Sequence, residues 1–305
     1  MILFEPGKTL LNETLDDNIF LLEPYIPRES VIMLFGRPTI GKTPICWQFA
    51  QAIQTGQPLW GMPVQQANVL FLELDTPLRL VHHRWKDADP PFEPEFIIAF
   101  ESMTIDCTQF LSTYPDERHR EIVDAFGRIH SKYQFGLVII DALRHVVLGD
   151  INTGGVSRRV YDAFRAIFPG ASLLFIHHEK KIQQGNFGAP EPMHLAAGSM
   201  EFINIAQVSL QFHKAGKQTY LSHIKTQASE MYPPLPLNIA PDGVWVIDKL
   251  AERNDRALKV IVAADPGMGK RDLDRLVAKE LGISERTART IKRGLLQGGL
   301  LKENE

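Results

Sequence analysis

Short, wholly apolar runs alternate with stretches of helical period over most of the chain. Val31 to Phe35, Asn68 to Leu74, Leu137 to Asp141 and Ser172 to His177 are rich in Val, Ile, Leu and Phe, the pattern of strands buried on both faces. Between them, Pro44 to about Thr55, Pro77 to about Asp87, Asp116 to Tyr133 and Val156 to Phe168 carry the spacing of helices. Strand then helix, repeated, predicts an α/β fold with a mostly parallel sheet covered by helices on both faces. Residues 1 to about 30 are a lead-in broken by prolines and are expected to lie across the sheet edge. Gln218 to Lys225 and the run Pro233-Pro234-Leu235-Pro236 read as antiparallel edge strands.

Near residue 250 the pattern changes. Asp255 to Ala264, Arg271 to Leu281 and Ser284 to Gln297 predict three helices, followed by Gly298-Gly299 and a short apolar strand. The expected division is residues 1–250 and residues 251–305. From Glu252 to Glu305 there are 12 Lys plus Arg against 9 Asp plus Glu, about +3, while the whole chain of 305 residues carries −3. That balance excludes a wholly basic nucleic-acid coat and confines any DNA contact to a local patch. Cys46 and Cys107 give neither a metal-ligand spacing nor a disulfide framework, which suits a reducing compartment. The start of the chain lacks the basic-then-apolar order of a signal peptide and no run approaches a membrane span, so a cytoplasmic protein without a membrane partner is expected.

One turn carries recognisable chemistry. Gly36-Arg37-Pro38-Thr39-Ile40-Gly41-Lys42-Thr43 fits the phosphate-loop pattern at every fixed position. A strand before it and a helix after it would aim backbone N–H groups and the positive end of the helix dipole at one phosphate. Lys42 is expected to reach the β- and γ-phosphates of ATP, and Thr43 to hold Mg²⁺. Pro44 falls in the first helical turn, where its missing N–H costs nothing. By contrast, Asp265-Pro266-Gly267-Met268-Gly269-Lys270-Arg271 has the Gly-Lys pair but Ala264 in place of the first glycine and Arg271 in place of the hydroxyl, and reads as a turn between helices.

ATP hydrolysis also needs carboxylates at neighbouring strand ends. Asp141 closes an apolar run and is the expected Mg²⁺ partner. Glu73 and Asp75 are two residues apart, so strand periodicity puts both on one face; Asp75, at the strand end, is favoured to orient the attacking water, with Glu73 as its rival. His177-His178 follows another apolar run, and one of the two could sense the γ-phosphate. Neighbours on a strand cannot both face one site, so the other is ordinary. His82-His83 lies on a predicted helix and reads as surface.

The order of Gly36 to Thr43, Val69 to Asp75, Ile139-Ile140-Asp141-Ala142-Leu143-Arg144 and Phe175 to Lys181 resembles the RepA-type, RecA-fold hexameric helicases of plasmids and phages, over roughly residues 20 to 245. The resemblance implies a ring of subunits sharing ATP sites at their interfaces. It places the family's second-strand glutamate on Asp75, its histidine motif on His177, His178 and Lys181, its D-x-L-R segment on Asp141 to Arg144 and its G-S pair on Gly198-Ser199. Where the family has an arginine finger this chain has Gln207, and the family's nearby lysine falls on Lys225, which the resemblance makes the surviving group acting across the interface.

The last helices resemble a winged-helix DNA-binding domain. Ala278-Lys279-Glu280-Leu281-Gly282-Ile283-Ser284 reads as helix, glycine turn and N-cap. On the following helix Arg286, Arg289 and Arg293 fall within about 60° of one another, opposite Ala288, Ile291 and Leu295. Gly298-Gly299-Leu300-Leu301 would begin a short wing. The expected protein is an ATP-dependent helicase or DNA-translocating ATPase in plasmid or phage replication, with single-stranded and possibly double-stranded DNA as partners. Asp150 to Arg159 and Ile182 to His194 are its candidate single-strand loops. The alternative is a DNA-binding regulator or loader that uses ATP as an assembly switch, and Gln207 favours it because slow hydrolysis follows from a missing finger.

Overall fold

The apolar runs become central strands because each has the length of one strand and no polar face to present to water. The structure, a computed structural model, describes residues 18–87, 95–100, 106–110, 116–147, 150–151, 153, 155–179, 201–240, 243–265 and 268–297. The chain divides into two compact units, Met1–Gln211 with His223–Tyr232, and Phe212–Ser222 with Pro233–Glu305.

In the first unit β1 (Phe20–Leu22) and β2 (Ile26–Pro27) pair antiparallel as a small sheet of their own. There follow β3 (Val31–Gly36), α1 (Lys42–Thr55), β4 (Asn68–Glu73), α2 (Leu78–Lys86), β5 (Ile97–Phe100), α3 (Glu117–Tyr133), β6 (Phe135–Asp141), α4 (Val156–Ile167), β7 (Ser172–His178) and α5 (Glu201–Ile205), and then the first residues of β8 (Val208–Ala215). The strands lie in the order β8-β3-β7-β6-β4-β5. The pairs β3–β7, β7–β6, β6–β4 and β4–β5 are parallel. With the phosphate-loop strand β3 as first and the short β5 left aside, the order is fifth, first, fourth, third, second. This is the RecA-like α/β class that the sequence predicts.

Alternate residues of each strand enter different layers. Met33, Phe35, Leu72, Ile140, Leu173 and Phe175 share one core with Val160, Phe164 and Ile167 of α4. The register sets Gly36 opposite His178 and Glu73 opposite Asp141, so the carboxyl ends of these strands line up along one edge. At the other end of β6, a Cβ on Gly136 would lie 2.6 Å from the Ala67 Cβ, and only glycine allows that approach.

In the second unit, β8 turns through Gly216, at φ +61°, into β9 (Gln218–Thr226). β9 pairs antiparallel with β10 (Leu235–Ile239), and β10 with β11 (Trp245–Ile247). Three helices complete the unit: α6 (Lys249–Ala263), α7 (Lys270–Leu281) and α8 (Glu285–Gln297). Ala257, Ile261, Val277, Ala278, Ala288, Ile291 and Leu295 form their core.

Helix α6 starts six residues before its expected position because Asp248 caps it, its side chain accepting from the amides of Leu250 and Ala251. β5 and β8 are additions to the sequence reading; β8 alternates Val208, Leu210 and Phe212 with polar residues. The expected wing at Gly298-Gly299-Leu300-Leu301, the loop Ile182 to His194, part of Asp150 to Arg159, Lys181 and Gly198-Ser199 lie outside the described residues. Among the described residues no helix is long and apolar enough to cross a membrane.

Candidate nucleotide-binding site

β3 delivers Gly36 to the carboxyl edge of the sheet, and the chain turns back into α1 over five residues. Gly41, at φ 102°, is the residue before the helix; a side chain there would be strained. Thr39, at φ 61°, holds the left-handed conformation in spite of its branched side chain. Among the described residues no side chain caps α1, so the first-turn amides remain available to an anion. Arg37, Pro38 and Thr39 are exposed, and Ile40, Gly41, Thr43 and Pro44 partly so. This arrangement is the strand–turn–helix geometry that the sequence predicts around the phosphate-loop pattern.

Lys42 is buried and reaches back over the loop. Its Nζ donates to the carbonyls of Gly36 and Arg37, each at 2.9 Å, and lies 3.4 Å from Nδ1 of His178. Burial lowers its pKa, while nearby Asp141 works against that shift. Thr43 Oγ1 donates to Asp141 Oδ2 at 2.5 Å. A hydroxyl from the phosphate loop and a carboxylate from the neighbouring strand end are the two oxygens that a phosphate-bound Mg²⁺ requires, so the residues fit that ion. Of the two histidines, His177 is buried beside Phe202, and His178 is the one next to Lys42. Burial, and then the charge of Lys42, lower the pKa of His178, favouring the neutral ring.

The two candidate bases sit in different surroundings. Glu73 is only 2% exposed; its Oε1 accepts from the amide of Thr76 at 2.9 Å, and its Oε2 is buried with no hydrogen-bond partner among the described residues. Burial, followed by the charge of Asp141, raises its pKa. Burial likewise raises that of Asp141, against the hydrogen bond from Thr43. Asp75 is half-exposed and already engaged: Oδ1 is 2.8 Å from Nε2 of His145 and 3.6 Å from Nη2 of Arg144. His145 was not foreseen as a site residue. The 3₁₀ turn Leu143–His145 directly after β6 brings it there together with Arg144.

Lys225 and Gln207 occupy another corner. Nζ of Lys225 donates to the carbonyls of Ile203, Asn204 and Ala206 at 3.4, 2.6 and 2.6 Å, so its three N–H groups close the C-terminal end of α5. Oε1 of Gln207 accepts from the amide of Val31 at 2.8 Å, at the end of β3 opposite the phosphate loop.

In the second unit, Ser284 caps α8 through the amide of Thr287, and Gly282, at φ 64°, ends α7. Arg286, Arg289 and Arg293 are exposed, as their spacing predicts. Arg289 is nevertheless partly used: its Nε donates to Asp274 Oδ2 at 3.2 Å, and Lys292 pairs with the other oxygen.

The family described as AAA domain matches residues 12–184. A comparison with curated proteins finds no match. Among solved structures, a KaiC-like protein from the hyperthermophilic archaeon Pyrococcus horikoshii OT3 aligns with a TM-score of 0.49 and 15% identity, over 76% of this chain and 97% of that one.

Proposed function

The chain belongs to the AAA domain family, and from that premise we propose that it is a Mg²⁺-dependent ATPase of the RepA helicase type, working on DNA in the cytoplasm. The observation that carries the ATPase reading is the Thr43–Asp141 pair beside Lys42 at the carboxyl edge of β3 and β6. Lys42 and the amides of α1 would hold the phosphates, and Thr43 with Asp141 would hold Mg²⁺, which when bound neutralises charge on the β- and γ-phosphates. Asp75 or Glu73 would orient the attacking water. Arg286 and Arg293 would contact duplex phosphates, and subunits would assemble as a hexameric ring around single-stranded DNA in plasmid or phage replication.

A second reading is a DNA-bound regulator or loader in which ATP sets assembly and no strand is unwound. It is favoured by the three carbonyls that engage Lys225 and by the Val31 amide that engages Gln207, since neither side chain is then free to complete a neighbour's site. Turnover and strand separation, measured with and without single-stranded DNA, test the two. ATP-dependent separation by a ring supports the helicase, whereas nucleotide-dependent assembly without separation supports the regulator. For the duplex contact, Arg286→Ala and Arg293→Ala should each flatten the log–log salt dependence of binding by about one unit.

A further inference from the structure

We propose that Arg144 is the cation that contacts the γ-phosphate, supplied by the same subunit that binds the nucleotide. This inference rests on the reading of the phosphate loop as an ATP site. Arg144 lies on the 3₁₀ turn that starts two residues beyond Asp141, so the strand holding the Mg²⁺ carboxylate also carries the arginine to the carboxyl edge of the sheet. Its guanidinium is 58% exposed and faces Asp75 at 3.6 Å, a carboxylate that is itself 37% exposed and shared with His145. An exposed arginine resting on a half-exposed carboxylate gains little from that pair alone. It is, however, well placed to exchange the carboxylate for a phosphate oxygen, which a planar guanidinium binds as readily.

The groups around it say which anion belongs there. Lys42 stands on one side of His178, 3.4 Å away, and the charge of Arg144 also bears on His178. Lys42, the Thr43–Asp141 pair and the Arg144–Asp75 pair thus all lie at the carboxyl edge of the sheet, and in this proposal the terminal phosphate of a triphosphate is the part of the ligand that meets Arg144. In this proposal a diphosphate leaves Arg144 on Asp75. Binding of a triphosphate would draw Arg144 from Asp75 and leave that carboxylate held by His145 alone, coupling recognition of the third phosphate to the surroundings of the candidate base. Such a site needs no cation from a neighbour, which agrees with the internal engagement of Gln207 and Lys225.

Calorimetric titration with Mg-ADP and with a Mg-bound, non-hydrolysable ATP analogue tests this in the full chain. Arg144→Ala should weaken the analogue about ten- to a hundredfold and leave ADP unchanged, with Arg144→Lys recovering part of the loss. Asp75→Asn should tighten the analogue, and that gain should disappear in the Arg144→Ala, Asp75→Asn double variant. Equal losses for both nucleotides, no loss for either, or a gain that survives in the double variant would each overturn the assignment. A Lys42→Ala chain that still binds both nucleotides as well as the wild type would instead overturn the ATP-site reading itself.

Discussion

At the carboxyl ends of β3, β4 and β6, polar side chains are shared between one another or only partly matched; at the junction of α5 and β8 they are fully engaged by the backbone. In the first region Glu73 Oε2 is buried with no partner among the described residues, Asp75 is shared between Arg144 and His145, and Lys42 lies on carbonyls of its own loop. In the second, Lys225 meets three carbonyls and Gln207 meets the amide of Val31. A buried polar atom without a partner costs about 1–3 kcal/mol, so a fold keeps one where a ligand, a metal ion or water will complete it. A side chain whose donors are all matched by backbone acceptors holds structure instead. The contrast supports the proposal of ligand binding in the first region and bracing in the second.

The largest effect is expected from Lys42→Ala. Charge-assisted bonds contribute about 1.5–3 kcal/mol each, so removing a cation that serves two phosphates should abolish measurable nucleotide binding while the circular dichroism spectrum is retained. Next come the two carboxylates. Asp75→Asn should keep or tighten ATP binding and lose hydrolysis; if Glu73→Gln loses hydrolysis with binding kept and Asp75→Asn does not, the half-satisfied acid at the end of β4 is the base and the shared one is only its neighbour.

Lys225→Ala probes the bracing side. Loss of its bonds to the end of α5 should cost about 1–3 kcal/mol and appear as a melting temperature lowered by several degrees. Mixing Lys225→Ala with Lys42→Ala subunits decides between bracing and action across an interface, because restored turnover in mixed assemblies would show Lys225 serving a neighbour's site. The smallest effect is expected in the second unit. The carboxyl of Asp274 is pushed up by burial but more strongly down by Lys292 and Arg289, for a net lowered pKa. Its stabilising contribution is therefore present at neutral pH and is lost as pH falls below the ordinary carboxylate value of about 4. Asp274→Asn should melt earlier than the wild type at pH 7, and a pH series of melts should show the gap closing below about pH 4.

Much of the nucleotide site is legible from the chain because it is local. The phosphate loop, the apolar run into Asp141 and the spacing of Glu73 and Asp75 each lie within a few consecutive residues, and parallel pairing brings their ends together. The engagement of Asp75 is not local: His145 and Arg144 reach it from another strand, 70 and 69 positions away in sequence, and only the register of Glu73 with Asp141 reveals the meeting. The same holds for Lys225 and Gln207, whose partners are backbone atoms that have no sequence signature. In the helical part, the buried face of α8 follows from its period, whereas the hold of Asp274 on Arg289 comes from a different helix.

The closeness of Gly136 to Ala67 links the far end of the sheet to heredity. Replacing Gly136 by alanine would wedge β6 from the segment entering β4, the strands whose opposite ends carry Asp141 and Glu73. Changing Ala67 to glycine removes the methyl group that the new one would meet, and the next atoms stand 4.0 Å away. The two positions thus form a compensating pair, in which a lesion at 136 is rescued by a second change at 67. Over generations they should drift together, one position free to grow only where the other has shrunk.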